Sequence, residues 1–190
     1  MNRREAINRV TLLLGGTVVG GAAFLEGCRS GDSKLAVGLP FSAENIAFLD
    51  EVAETIIPTT NTPGAKAAQV GSFMNTMVVD CYEEKDQKIF MNGISKIDEA
   101  SSKKNGKSFM EAKPEERKAL LTEIDQELKA FNKSRKPEDA NHYFGLMKQL
   151  TLLGYFTSEI GCTQALQYVA VPGRYEGCIP YNKGDKAWAT

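Results

Sequence analysis

From Ser42 to Leu166 apolar residues recur at spacings of three and four, and that single periodicity restricts the chain to helices packed on a shared core. It never gives way to the strict alternation of a half-buried strand. A first helix is predicted to open with Ser42 as N-cap, with Phe41 and Ile46 at the two positions of a hydrophobic staple. Its stripe is Ile46, Leu49, Val52, Ala53, Ile56 and Ile57, and Pro58 ends it. A second helix covers about 67–79, with Val70, Phe73, Met74, Met77 and Val78 inward. A third runs over about 85–103 on Ile89, Phe90, Ile94 and Ile97, with Gly106 as its stop. Pro114 suits the first residue of a fourth, whose core face is Leu120, Leu121, Ile124, Leu128 and Phe131. The last and longest is expected to open at Pro137 and to run through Phe144, Leu146, Met147, Leu150, Leu152, Leu153, Phe156 and Ile160 towards Leu166.

That last helix is apolar on more than one side: within 146–156 only Lys148 and Gln149 are clearly polar. It is expected at the centre of the bundle, the alternative being partial cover by another protein. From Tyr168 the period stops, and 168–190 holds three glycines and two prolines among mixed residues. The expected fold is all-α, a small bundle of about five helices with an irregular C-terminal arm.

The N-terminus is of a different kind. Arg3 and Arg4 form a twin-arginine pair, the uncharged run from Val10 to Leu25 is 16 residues long with four glycines, and Leu25-Glu26-Gly27-Cys28 has the shape of a lipoprotein cleavage site. A spanning helix needs about 20 strongly apolar residues, so the run reads as the core of a signal peptide. A twin-arginine signal exports protein that has already folded. The expected organisation is a signal peptide over 1–27, a lipid-anchored tether over 28–40 with Cys28 as the lipidated residue, and a helical domain over 41–190. The expected location is the periplasmic side of a bacterial membrane.

Without residues 1–27 the chain keeps 163 residues, 20 basic and 22 acidic. This is enough for one domain with a real core, and its balance of charge gives no reason to expect nucleic acid. Cys81, Cys162 and Cys178 remain with no CxxC or CxxCH, and His142 is the only histidine, which excludes covalent c-type haem and the common zinc patterns. His142 reads as a surface or capping histidine with no nucleophile pattern near it. Ser158 lacks the glycines of a nucleophile elbow, and Asp80, Glu83, Glu84 and Asp86 read as solvated or first-turn acids. No catalytic, cofactor or metal residue is assigned.

The run from Lys148 to Gly161, KQLTLLGYFTSEIG, followed by Gln164-Ala165-Leu166, Pro172-Gly173-Arg174-Tyr175 and Gly177-Cys178-Ile179-Pro180, resembles the gluconate 2-dehydrogenase subunit 3 family. The twin-arginine start, Thr55-Ile56-Ile57-Pro58, Thr62-Pro63-Gly64-Ala65 and Asp80-Cys81-Tyr82 fit the same family in the same order. The resemblance implies a small, cofactor-free subunit of a membrane-associated sugar or sugar-acid dehydrogenase. The catalytic partner it implies is a large FAD-binding flavoprotein of the glucose-methanol-choline type, often with a cytochrome c carrying haem c as electron acceptor. The small subunit would carry the export signal and support folding and translocation of the large one. A stand-alone periplasmic lipoprotein that binds a small ligand or an envelope protein is the other reading, and an enzyme in its own right the weakest.

Two placements follow from the residues themselves. Aromatic residues and arginine dominate interface energetics, so the partner surface is expected on Tyr155, Phe156 and Glu159 with Arg174, Tyr175 and Trp188 of the arm. An arm with few apolar anchors gains most from a crosslink, so Cys81 and Cys178 are expected to pair, leaving Cys162 as a free packing thiol.

Overall fold

In the computed structural model, which describes residues 41–189 apart from 137, 172, 175 and 176, Ser42 opens the first helix. Its Oγ accepts the Asn45 amide at 3.2 Å, which satisfies one of the donors that a helix start leaves over. Helix α1, Ala43–Ile56, buries Phe48, Leu49, Val52 and Ala53. Phe41 leans on Phe90 of the third helix, ring centroids 6.2 Å apart. The loop after Pro58 is then fastened by α1 itself: Glu54 accepts the Thr59 amide and hydroxyl at 2.8 and 2.7 Å and the Lys66 amide at 3.0 Å.

Helix α2 spans Val70–Cys81 and begins three residues later than the apolar spacing suggests, because Gln69 takes a left-handed conformation at φ 54 and the backbone turns there. No side chain of its own caps it. Asp50 of α1 does so instead, its Oδ1 accepting the Gly71 amide at 2.7 Å. At the other end, the buried Gln87 of helix α3, Glu84–Asn105, directs its Nε2 at the carbonyls of Val78, Val79 and Tyr82 at 3.0 to 3.2 Å. Both ends of α2 are therefore satisfied by its neighbours.

Gly106, at φ 71, closes α3. The segment that follows puts Phe109 in the core beside Phe48, at 5.1 Å, with its amide held by Asp98 at 2.8 Å. Helix α4 runs Pro114–Ser134, with the Lys113 amide accepted by Glu116 at 2.8 Å and Leu120, Leu121, Ile124 and Leu128 inward. An ion cluster ties α1 to α4: Glu51 receives Lys66 and Arg117, and the Arg117 guanidinium also donates to the carbonyls of Phe109 and Met110. Burial pushes the Glu51 carboxyl up, but the two cations outweigh it and hold it below the usual carboxylate range.

Helix α5 is shorter than expected. It spans Tyr143–Thr157, 15 residues against 22 for α3, so it is not the longest. Before it, Asp139 accepts the Lys136 amide at 2.8 Å and Asn141 bridges Arg135 to Asp86, which keeps the chain in turns up to His142. After it, Ser158 breaks the helix and one π-helical turn, Gly161–Ala165, follows. Helix α5 packs against all four other helices and is the central element of the bundle.

The described part of the arm is irregular and exposed, and among the described residues the only β pairing is a single bridge between Gln167 and Trp188. Gln167 donates to the Ala187 carbonyl at 2.8 Å and accepts the Ala189 amide at 3.0 Å. The arm is thus a loop closed at its neck, not a trailing tail. The expected Cys81 to Cys178 bond is not formed: Cys81, Cys162 and Cys178 are all free thiols, and the arm is fastened through Gln167 instead. No described helix is long and apolar enough to cross a membrane.

Candidate partner-docking surface

The block Gly154–Gly161, GYFTSEIG, divides cleanly between residues that build the end of α5 and residues that it presents. Gly154 lies under Phe73 of α2, where an added Cβ would stand 2.6 Å from the ring. Tyr155 is 1% exposed and donates its hydroxyl to the Pro63 carbonyl at 2.7 Å, which fastens the 58–66 loop to the bundle. Ser158 Oγ donates to the Tyr155 carbonyl at 2.7 Å and accepts the Gly161 amide at 3.0 Å. A Cβ on Gly161 would stand 1.9 Å from that same carbonyl oxygen, so the reversal needs glycine.

The remaining residues face outward. Phe156 is 40% exposed, and Leu152 and Leu153, one turn earlier, are each 43% exposed. Spacings of three and four put all three on one face of the helix. Glu159 stands exposed just beyond them, and its carboxylate has no ion pair among the described residues. A central helix normally hides such residues; this one keeps an apolar stripe in solvent.

Tyr155 therefore leaves the surface expected from the sequence. Tyr155 turns into the core with its hydroxyl on the Pro63 carbonyl, while Phe156, about 100° further round the helix, faces outward. Their rings meet edge-on, 5.1 Å apart, across the border between core and surface. Arg174 and Trp188 are exposed, while Tyr175, Arg3, Arg4 and Cys28 lie outside the described residues. The arm adds Tyr168, Val169, Val171, Ile179 and Tyr181 to the exposed apolar residues. Leu152 and Leu153 are not in the surface expected from the sequence, although a helix apolar on more than one side is the signal that carries them.

The other candidates turn out to be structural. His142 is the N-cap of α5, its Nδ1 accepting the Phe144 amide at 3.2 Å. Of the clustered acids, Glu83 pairs with Lys85 at 2.9 Å, Glu84 with Lys88 at 2.5 Å, and Asp86 accepts from Asn141. No group of three or more His, Cys, Asp or Glu among the described residues could hold a metal ion. A shallow groove of about 270 Å³ between α1, α4 and α5 is lined by Thr55, Ile56, Leu121, Asp125 and Lys148 among others. Its one carboxylate is already paired: Lys129 and Lys148 bond to Asp125 and hold its carboxyl below the usual range.

The described residues form an all-α bundle whose distinctive feature is apolar surface on its central helix and arm. The family model for gluconate 2-dehydrogenase subunit 3 matches residues 43–173, and the chain belongs to that family. No curated protein and no solved structure matches the chain.

Proposed function

We propose that the chain is the non-catalytic accessory subunit of a membrane-associated dehydrogenase on the periplasmic side of a bacterial membrane. Its partner is a large FAD-dependent subunit of the glucose-methanol-choline type, with a cytochrome c as a further component of the complex. The small chain carries the twin-arginine signal, supports folding and translocation of the large one, and tethers the complex through Cys28. Family membership supports the accessory role. The observation that carries the docking mode is the stripe Leu152, Leu153 and Phe156 with Glu159 beside it, exposed on the best-packed helix of the bundle. Apolar side chains held rigidly at a surface lose little entropy on binding and gain the area that they bury.

Replacing Arg3 and Arg4 together by lysine tests the carrier role. Both this chain and the flavoprotein are expected to stay in the cytoplasm, and finding both in the periplasm overturns it. Cys28→Ala is expected to release the complex into the soluble fraction, since each buried lipid CH₂ contributes about 0.8 kcal/mol. Unchanged membrane association removes the tether from the proposal.

A further inference from the structure

One titratable group in the bundle is placed where its charge state decides a backbone hydrogen bond. His142 accepts the Phe144 amide at Nδ1, so its proton sits on Nε2 and the ring is neutral in the capped state. The ring stacks on Tyr143 at 4.6 Å and meets Phe131 of α4 at 5.4 Å. Two charges from neighbouring helices act on it, Glu127 of α4 and Lys96 of α3, and the Lys96 ammonium stands 5.3 Å over the Tyr143 ring.

Protonation turns Nδ1 from an acceptor into a donor aimed at another donor, the Phe144 N–H. It also sets a positive charge against the positive end of a helix. The geometry points to an acid-sensitive latch: neutral His142 holds the first turn of α5 closed, and protonation of the same ring opens it. Burial pulls the imidazole below its ordinary value of 6.5, with Glu127 opposing and Lys96 reinforcing. A histidine lowered in the folded state contributes its full stability above 6.5 and loses it as pH falls from there through the folded value. The latch is therefore closed at neutral pH and opens on mild acidification. It acts on the helix that touches all the others and that bears the exposed stripe.

The full chain without a histidine tag gives a single imidazole resonance, because His142 is the only histidine. Titrated by NMR from pH 7.5 to 4.5, that resonance is expected to move with a midpoint below 6.5. The Phe144 amide should lose protection from hydrogen exchange about fivefold to tenfold over the same range, after correction for intrinsic rates, as loss of a helix cap requires. His142→Asn keeps an uncharged cap and should remove that part of the pH dependence. A midpoint at or above 6.5, Phe144 protection that does not follow the imidazole, or an Asn variant with the same acid loss each overturns the latch. Should the Asn variant fail to fold, the two wild-type measurements decide by themselves.

Discussion

Among the described glycines, Gly161 leaves the least room for a side chain. Its missing side chain lets the backbone reverse over the Tyr155 carbonyl, which is already occupied by Ser158. Gly161→Ala is expected to cost about 3 kcal/mol, the upper end of overpacking penalties, read as a loss in the midpoint of chemical denaturation. Tyr155→Phe removes the hydrogen bond to Pro63 and should cost about 1 kcal/mol. Because that hydroxyl lies in the interior, the same substitution should leave partner binding intact, which separates Tyr155 from its neighbour Phe156. Glu51→Gln strips the charge that Lys66 and Arg117 share and should cost about 2 kcal/mol at pH 7. The Glu51 carboxyl is lowered in the folded chain, so its contribution is complete above its ordinary value of 4.5 and fades as pH falls through the folded value. Denaturation curves of wild type and Glu51→Gln should converge on acidification, and a gap that widens contradicts the pairing.

At the scale of elements, α5 has two duties that its composition blends. Its inward residues, Phe144, Met147, Leu150 and Thr151, hold the bundle together, while Leu152, Leu153 and Phe156 contribute little to that packing. Leu153→Gln should change stability by no more than about 0.5 kcal/mol. The helices themselves were legible from the three-and-four spacing, and Ser42, Gly106 and Pro114 marked ends that the structure keeps. Part of what was not legible came from side chains further off in sequence, the capping of α2 by Asp50 and Gln87. The turn made by Asp139 ahead of α5 and the break at Ser158 rest instead on side-chain bonds to backbone three residues away, which apolar spacing does not register. The same limit applies to the interface, since periodicity could say that α5 has excess apolar surface but not which residues were in excess. Removal of everything after Val169 tests the arm, whose neck is held by two backbone hydrogen bonds at Gln167 and by Lys186 on the Gln164 carbonyl. The shortened chain is expected to fold and to lose partner affinity, and undiminished co-purification places the interface on α5 alone.

For the molecule as a whole, the export signal proposed for this small helical chain makes physical sense when the cargo that must fold first is a larger partner. The bundle then has to offer a rigid face, and the helix that bears the stripe packs against all four others. The measurement that tests this most directly is affinity capture of the tagged full chain from detergent-solubilised membranes, with bound flavin read by absorbance, for the wild type beside the Leu152→Glu, Leu153→Glu and Phe156→Glu triple variant. The account predicts a yellow complex with the wild type and loss of at least nine-tenths of the flavin with a variant that remains folded by circular dichroism. Equal flavin in both, or none with the wild type, would contradict it.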